Sequence, residues 1–254
     1  MYKNKIKEML KTGSEMPCWA LVKGDPEAVE IAGLCGLDGV MFDVEHTSLT
    51  FRDVLDLIRA AEVVGAVPMV RVGGLDEVEI LRYLDMGAMG IQVPGIRNAE
   101  DAKEAVSLVK YAPMGKRGLS QVRAADYVIK RPITEYVQMA NEETMVIIMV
   151  ENREALENID EILQVEGVDA VSIGTTDLSL SLGYPGQPKH PEVLAAVAKV
   201  VEACNKYGVA VGTQMRDGRT AESMRADGFT FATSSVAAWI KKGAKDFVKG
   251  VKNK

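Results

Sequence analysis

The chain has few of the residues that staple small proteins or bind soft metals. Its 254 residues include three cysteines and two histidines. Cys18, Cys35 and Cys204 are odd in number and form no CxxC pair. This excludes a disulfide framework and a thiolate zinc site. Each cysteine sits in an apolar stretch and reads as a small buried hydrophobe of a reducing compartment. No segment reaches the ~20 apolar residues of a membrane span. The N-terminus, MYKNKIKEMLKTG, lacks the apolar core of a signal peptide, so a cytoplasmic protein away from the membrane is expected. No run of four or more like charges occurs, and 36 acidic against 30 basic residues leave a net charge of −6. That argues against nucleic acid as the partner, because phosphate recognition needs a basic face. The one basic cluster (Lys241, Lys242, Lys245, Lys249, Lys252, Lys254) is spaced as the wet side of a last helix. No linker or low-complexity stretch divides the chain. After the first apolar run stands VKGDPE rather than GxGxxG, which disfavours an open nucleotide-binding sheet.

What is present is an alternation of short apolar runs with helical patterns. Strands are predicted at 16–22, 38–42, 67–71, 90–93, 145–150, 168–173, 209–213 and 229–232. Helices are predicted near 26–35, 51–64, 75–85, 99–110, 153–163, 177–182, 191–207, 219–226 and 236–251. Continuous β-branched runs suit a buried parallel sheet, and eight βα units in about 250 residues imply closure into a (β/α)8 TIM barrel. The expected organisation is one domain over residues 1–254, with an inserted loop and short helix near 112–140.

Barrel enzymes carry their chemistry at the C-terminal ends of the strands. Those ends are unusually polar here: Asp43, Glu45 and His46 after strand two, Arg71 after three, Glu151 after five, Asp177 after six. Charge at a barrel mouth is costly unless it is paired or bound to metal. Glu151 and Asp177 end neighbouring strands, so their carboxylates either converge on a hard divalent cation or cap the helices that follow. Asp43 and His46 read either as an oriented general base or as a satisfied loop histidine. Arg71 suits a carboxylate or an enolate oxygen, or an internal ion pair with Asp43 or Glu45. Trp19 reads as a pocket wall or as core. His190, before Pro191, fits a helix start. Gly115–Gly118 (GKRG) reads as an anion-meeting loop or as ordinary surface, and Asp101, Glu104 and Lys110 as the wet face of a helix.

These segments resemble the HpcH/HpaI aldolase family of metal-dependent class II pyruvate aldolases, over roughly residues 19–247. FDVEH (42–46), MVRV (69–72), YAPMGKRG (111–118), VENREALENIDEILQVEGVDAVSIG (150–174) and DLSLSLGYPGQPKHPEV (177–193) carry the resemblance. It implies Glu151 and Asp177 as ligands of Mg2+ or Mn2+, with Co2+ a further candidate. It implies His46 as acid/base oriented by Asp43, and Arg71 on the pyruvate oxygens. Glu45 would support metal-bound water, and Trp19 would line the pocket. Gly174, Thr175 and Thr176 stand where the family has its substrate-binding turn. The implied reaction is reversible cleavage of a 4-hydroxy-2-oxo acid to pyruvate and an aldehyde. A homo-oligomer, a hexamer or trimer, is implied as well. The chain departs from the pattern at Met149, where the family has glutamine, at Thr175 and Thr176, at Gly73, and at FATSSVAAW. These departures surround the substrate and leave its identity open. The rival readings are an acyl-CoA lyase of the same superfamily, a non-catalytic barrel that binds a small acid, and a phosphate-binding barrel. The last would want glycine-rich turns after strands seven and eight, where TQMRDG and TSSV stand.

Overall fold

A computed structural model describes residues 1–215 and 218–252. Eight parallel strands close into a barrel in sequential order. They are β1 (Cys18–Val22), β2 (Gly39–Asp43), β3 (Val67–Arg71), β4 (Gly90–Val93), β5 (Met145–Val150), β6 (Ala170–Ile173), β7 (Ala210–Gln214) and β8 (Phe231–Ser235). The expected (β/α)8 architecture is the one observed. Every residue of β5 is buried, and its alternation divides two cores. Met145 and Ile147 face the barrel interior with Trp19, Met41, Met69, Ala170 and Phe231. Val146, Ile148 and Val150 face the surrounding helices.

Around the strands run α1 (Lys5–Thr12), α2 (Pro26–Leu34), α3 (Phe51–Val63), α4 (Glu77–Met86), α5 (Ala99–Val109), α6 (Ile133–Glu143), α7 (Arg153–Glu157), α8 (Ile159–Ile162), α9 (Thr175–Ser181), α10 (Pro191–Tyr207), α11 (Ala221–Ala226) and α12 (Val236–Lys252). A 3-10 turn, Arg123–Val128, precedes α6. The helices expected from the sequence do not include α1, although Ile6, Met9 and Leu10 recur there at helical spacing. Asn4 caps it through bonds from the Ile6 and Lys7 amides, and is itself buried against Met89 and Glu143. The helix thereby seats Ile6, fully buried, among the inward side chains of the barrel. Gly39 makes this possible, since a Cβ there would lie 2.6 Å from Ile6 Cδ1.

Several expectations are corrected. The predicted helix 153–163 breaks at Asn158 into α7 and α8. The last strand lies at 231–235 rather than 229–232, so Thr233 and Ser234 belong to β8. Cys204 is buried, but Cys35 is exposed and Cys18 only partly covered. Lys110 is not on a wet face. It is 1% exposed and donates to the carbonyls of Asn141 and Thr144 at 2.8 and 2.6 Å. Burial holds its pKa down at about 8. The GKRG loop presents no spare charge. Arg117 pairs with Asp85 and bonds Tyr136, and Lys116 pairs with Glu104. His190 caps α10 and stacks on Tyr184. Of the turn after β7, Arg216 and Asp217 lie outside the described residues, as does Lys254 of the basic tail.

Candidate active site

One wall of the barrel mouth is built by the ends of β2 and β3. Their parallel register sets Asp43 directly against Arg71, and neighbouring strands are about 4.8 Å apart, so the side chains meet. Arg71 Nε donates to Asp43 Oδ1 at 3.0 Å. Arg71 Nη2 lies 2.8 Å from Asp43 Oδ2, off the hydrogen-bond line, as an ion pair. Asp43 is fully buried. Burial pushes its pKa up, but the Arg71 bond and charge, the His46 N–H and the Lys23 charge outweigh burial and hold it below the ordinary carboxylate range. Glu45 Oε2 stands 3.3 Å from Arg71 Nε and 3.6 Å from His46 Nε2.

The expected Asp43–His46 dyad is corrected by this geometry. Asp43 Oδ1 accepts from the backbone N–H of His46 at 3.2 Å, not from its ring. Three residues of separation form a tight turn, and that turn brings the amide of His46 to the carboxylate. The ring faces Glu45 instead and is more than half exposed. Asp43 therefore fixes the loop that carries the histidine, and Glu45 is the carboxylate beside the imidazole.

The opposite wall is built by β5, β6 and α9. Glu151 Oε1 accepts from the Gly95 N–H at 2.8 Å. Burial pushes the Glu151 pKa up; Gly95 opposes this, while the charges of Glu45 and Asp177 add to it and Arg71 opposes it. Gly174 lets this side chain stand where it does, because a Cβ there would lie 2.7 Å from Glu151 Oε2. The helix-capping readings do not hold. Asn152, not Glu151, caps α7. Gly174 occupies the N-cap position of α9, and Asp177 lies in its first turn, exposed. Thr175 and Thr176 begin that helix, which has no side-chain cap bond.

Among the described residues, no cluster of three or more His, Cys, Asp and Glu forms a closed metal cage. Two carboxylates that feel each other's charge, one half-buried and one exposed, fit an open site for a hard divalent cation. The donor set is all oxygen, and the raised Glu151 pKa marks a negative charge in need of a counter-charge.

Trp19 is corrected from pocket wall to core. It is 1% exposed and stacks on Phe231 at 4.3 Å, below the mouth. Two residues further along the same inward face stands Leu21, and Lys23 follows just past the end of the strand. Sequence reasoning missed Lys23, whose Nζ lies 3.6 Å from Asp43 Oδ2. It also missed Gln92, 3% exposed, which donates Nε2 to Met149 Sδ at 3.1 Å. The signal for Gln92 was a polar residue within an apolar strand, in register with Arg71.

Known proteins are similar to this chain over most of their length. The chain is 36% identical over 225 residues to 2-dehydro-3,6-dideoxy-6-sulfogluconate aldolase of Pseudomonas putida, covering 88% of this chain and 87% of that one. It is 38% identical over 217 residues to a hydroxypyruvate/pyruvate aldolase of Sagittula stellata, covering 85% and 84%. The crystal structure of an HpcH/HpaI aldolase/citrate lyase family protein from Burkholderia cenocepacia superposes with a TM-score of 0.92 at 32% identity, over 98% of this chain and 100% of that one. The family model for HpcH/HpaI aldolase/citrate lyase matches residues 18–238, a span that holds both walls of the mouth, and the chain belongs to that family.

Proposed function

We propose that this chain is a class II aldolase that cleaves a 4-hydroxy-2-oxo acid to pyruvate, or a related 2-keto acid, and an aldehyde. The observation that carries the reading is the two-walled mouth. Glu151 and Asp177 stand on one side, and Arg71, Glu45 and His46 on the other, all at the catalytic end of the barrel. Relatives named as pyruvate aldolases support it at 36–38% identity.

Glu151 and Asp177 would hold Mg2+ or Mn2+, with Co2+ a further candidate. Bound there, the cation supplies Lewis acidity to the keto oxygen. The chain's own groups do the rest. Arg71, locked between Asp43 and Glu45, sets positive charge toward the oxygens of the keto acid. Gly174, Thr175 and Thr176 form the start of α9, beside which the substrate carboxylate lies. His46 takes the proton of the C4 hydroxyl. Glu45, 3.6 Å from Nε2, offsets the charge the ring then gains. As the C3–C4 bond breaks, its electron pair becomes the enolate of the keto acid and the aldehyde departs. Proton return to C3 completes the cycle. Asp43 acts on the loop and on Arg71 rather than on the ring.

The reading extends to assembly and place. Helix α12 has no buried residue, and Trp239, Ile240, Phe247, Val248 and Val251 stand exposed along it. An apolar face of that extent seeks a partner surface, which supports a homo-oligomer. No helix among the described residues is long and apolar enough to cross a membrane, which accords with a cytoplasmic enzyme.

The test is proton exchange at the pyruvate methyl group in D2O, followed by NMR with Mn2+ or Mg2+, with and without EDTA. Exchange that needs metal and falls at least tenfold in His46→Ala is expected. Folded protein that gives no exchange with either metal overturns the reading.

A further inference from the structure

Lys23 is a cation at the mouth that neither the fold nor the steps above employ. It directly follows β1, its side chain is about half exposed (49%), and Nζ lies 3.6 Å from Asp43 Oδ2. Asp43 has closer partners than this ammonium. Arg71 contacts both oxygens of that carboxylate, at 3.0 and 2.8 Å, and the His46 amide adds a third contact. At 3.6 Å the ammonium makes no hydrogen bond to Asp43. It is attracted toward the mouth with its three donors open to a ligand.

Its place in the ring matters. In a barrel closed in the order β1 to β8, β1 and β2 stand across from β5 and β6. Eight strands about 4.8 Å apart and tilted about 36° make a ring roughly 15 Å across. Glu151 and Asp177 occupy the β5–β6 side. A keto acid whose carboxylate and keto end lies at Glu151 directs its other end across the mouth, past Arg71 and His46, to Lys23. Of the two side-chain cations there, Arg71 is already shared between Asp43 and Glu45, whereas Lys23 keeps its donors open.

We infer that Lys23 determines specificity for the aldehyde half, by hydrogen-bonding an anionic group (a carboxylate, sulfonate or phosphate) at the end of the substrate remote from the keto acid. This rests on the aldolase reading above. The substrate class that follows is an aldehyde carrying its own negative charge, and the reaction releases two anions rather than one.

The experiment compares aldol addition of pyruvate to succinic semialdehyde, which is anionic, and to butanal, a neutral four-carbon aldehyde. The wild type, Lys23→Met and Lys23→Arg are assayed with Mn2+, and circular dichroism confirms that each variant is folded. The expected result is that Lys23→Met lowers kcat/KM for the anionic aldehyde at least tenfold more than for butanal, mainly through KM. Lys23→Arg, keeping the charge, should restore the ratio to within about threefold. A second readout avoids turnover: succinate should inhibit the wild type competitively against the anionic aldehyde, and at least tenfold more weakly Lys23→Met. Equal losses with both aldehydes would show Lys23 acting through Asp43 and overturn the inference, as would no loss with either. Pyruvate methyl exchange in the wild type separates the two levels. Exchange without discrimination by Lys23 overturns this inference alone, whereas absence of exchange overturns the aldolase reading and this inference with it.

Discussion

Glu151 and Asp43 are two carboxylates at one barrel mouth whose environments push them in opposite directions. For Glu151, burial is the largest influence and raises the pKa above the ordinary carboxylate value. A carboxyl with a raised folded pKa contributes stability below that pKa and loses it as the pH rises through it. Glu151→Gln is therefore expected to melt higher than the metal-free wild type at pH 7, by roughly 2–4 °C for each kcal/mol relieved, while losing Mn2+ binding. Calorimetry and Mn2+ paramagnetic resonance check the two halves separately. A Glu151→Gln variant that melts lower would show that this carboxylate is structural. Asp43 follows the other sign. Its folded pKa is depressed, so its contribution is present above the ordinary carboxylate range and lost as the pH falls through the folded value. Asp43→Asn should cost about 3 kcal/mol at neutral pH, because it leaves the nearly buried Arg71 with half its counter-charge. Its stability should also depend less on pH below about 4 than that of the wild type. Urea titrations at pH 3 to 7 measure both. Gly174→Ala tests the floor of the site. Its Cβ would fall 2.7 Å from Glu151 Oε2 and 2.8 Å from Glu151 Cβ, so Glu151 must move. Weaker Mn2+ binding by tenfold or more is expected, with the fold retained.

At the scale of elements, α1 closes the end of the barrel away from the chemistry. Ile6 is its one fully buried side chain, and it meets the inward face of the barrel. Ile6→Ala should cost about 2–5 kcal/mol, the usual range for emptying such a position. Because this end is remote from Arg71 and Glu151, kcat should change less than twofold at temperatures where the variant is folded. Denaturant titration and steady-state rates distinguish that outcome from a distortion carried through the strands. The elements also explain where sequence patterns were informative. Runs such as MVIIMV must be strands because only a two-sided core accepts them. Helices α3 and α10 begin with side-chain caps at Thr50 and His190 and carry periodic apolar faces. Helix α1 is short and buries one side chain; its place at the barrel floor is fixed by Asn4 bonding to residues 85 and 139 positions away. The local period of Ile6, Met9 and Leu10 marks a helix, but contacts at that distance along the chain decide where it docks.

For the whole molecule, α12 poses the main physical question. Seventeen residues with no buried side chain make a poor helix end for a monomer. Cross-association through this helix predicts that wild-type protein elutes as an oligomer in light-scattering chromatography. Paired Trp239→Glu and Phe247→Glu substitutions should shift it toward monomer without loss of circular dichroism. A monomeric wild type would count against the oligomer.

Some features of this protein follow from the chain alone. Eight apolar runs separated by amphipathic stretches require a parallel barrel, because each run buries both faces. The polar residues just after those runs must then lie at one mouth, so Glu151, Asp177, Arg71, Asp43, Glu45 and His46 were named together from order alone. Which of them touch is a different matter, set by register and by side-chain direction. Only the folded structure shows that Asp43 bonds the His46 backbone rather than its ring, and that Glu45 stands beside the imidazole. It alone sinks Trp19 below the mouth and buries Lys110. It alone brings Lys23 across from Glu151, since two residues 128 positions apart become opposite walls when the barrel closes.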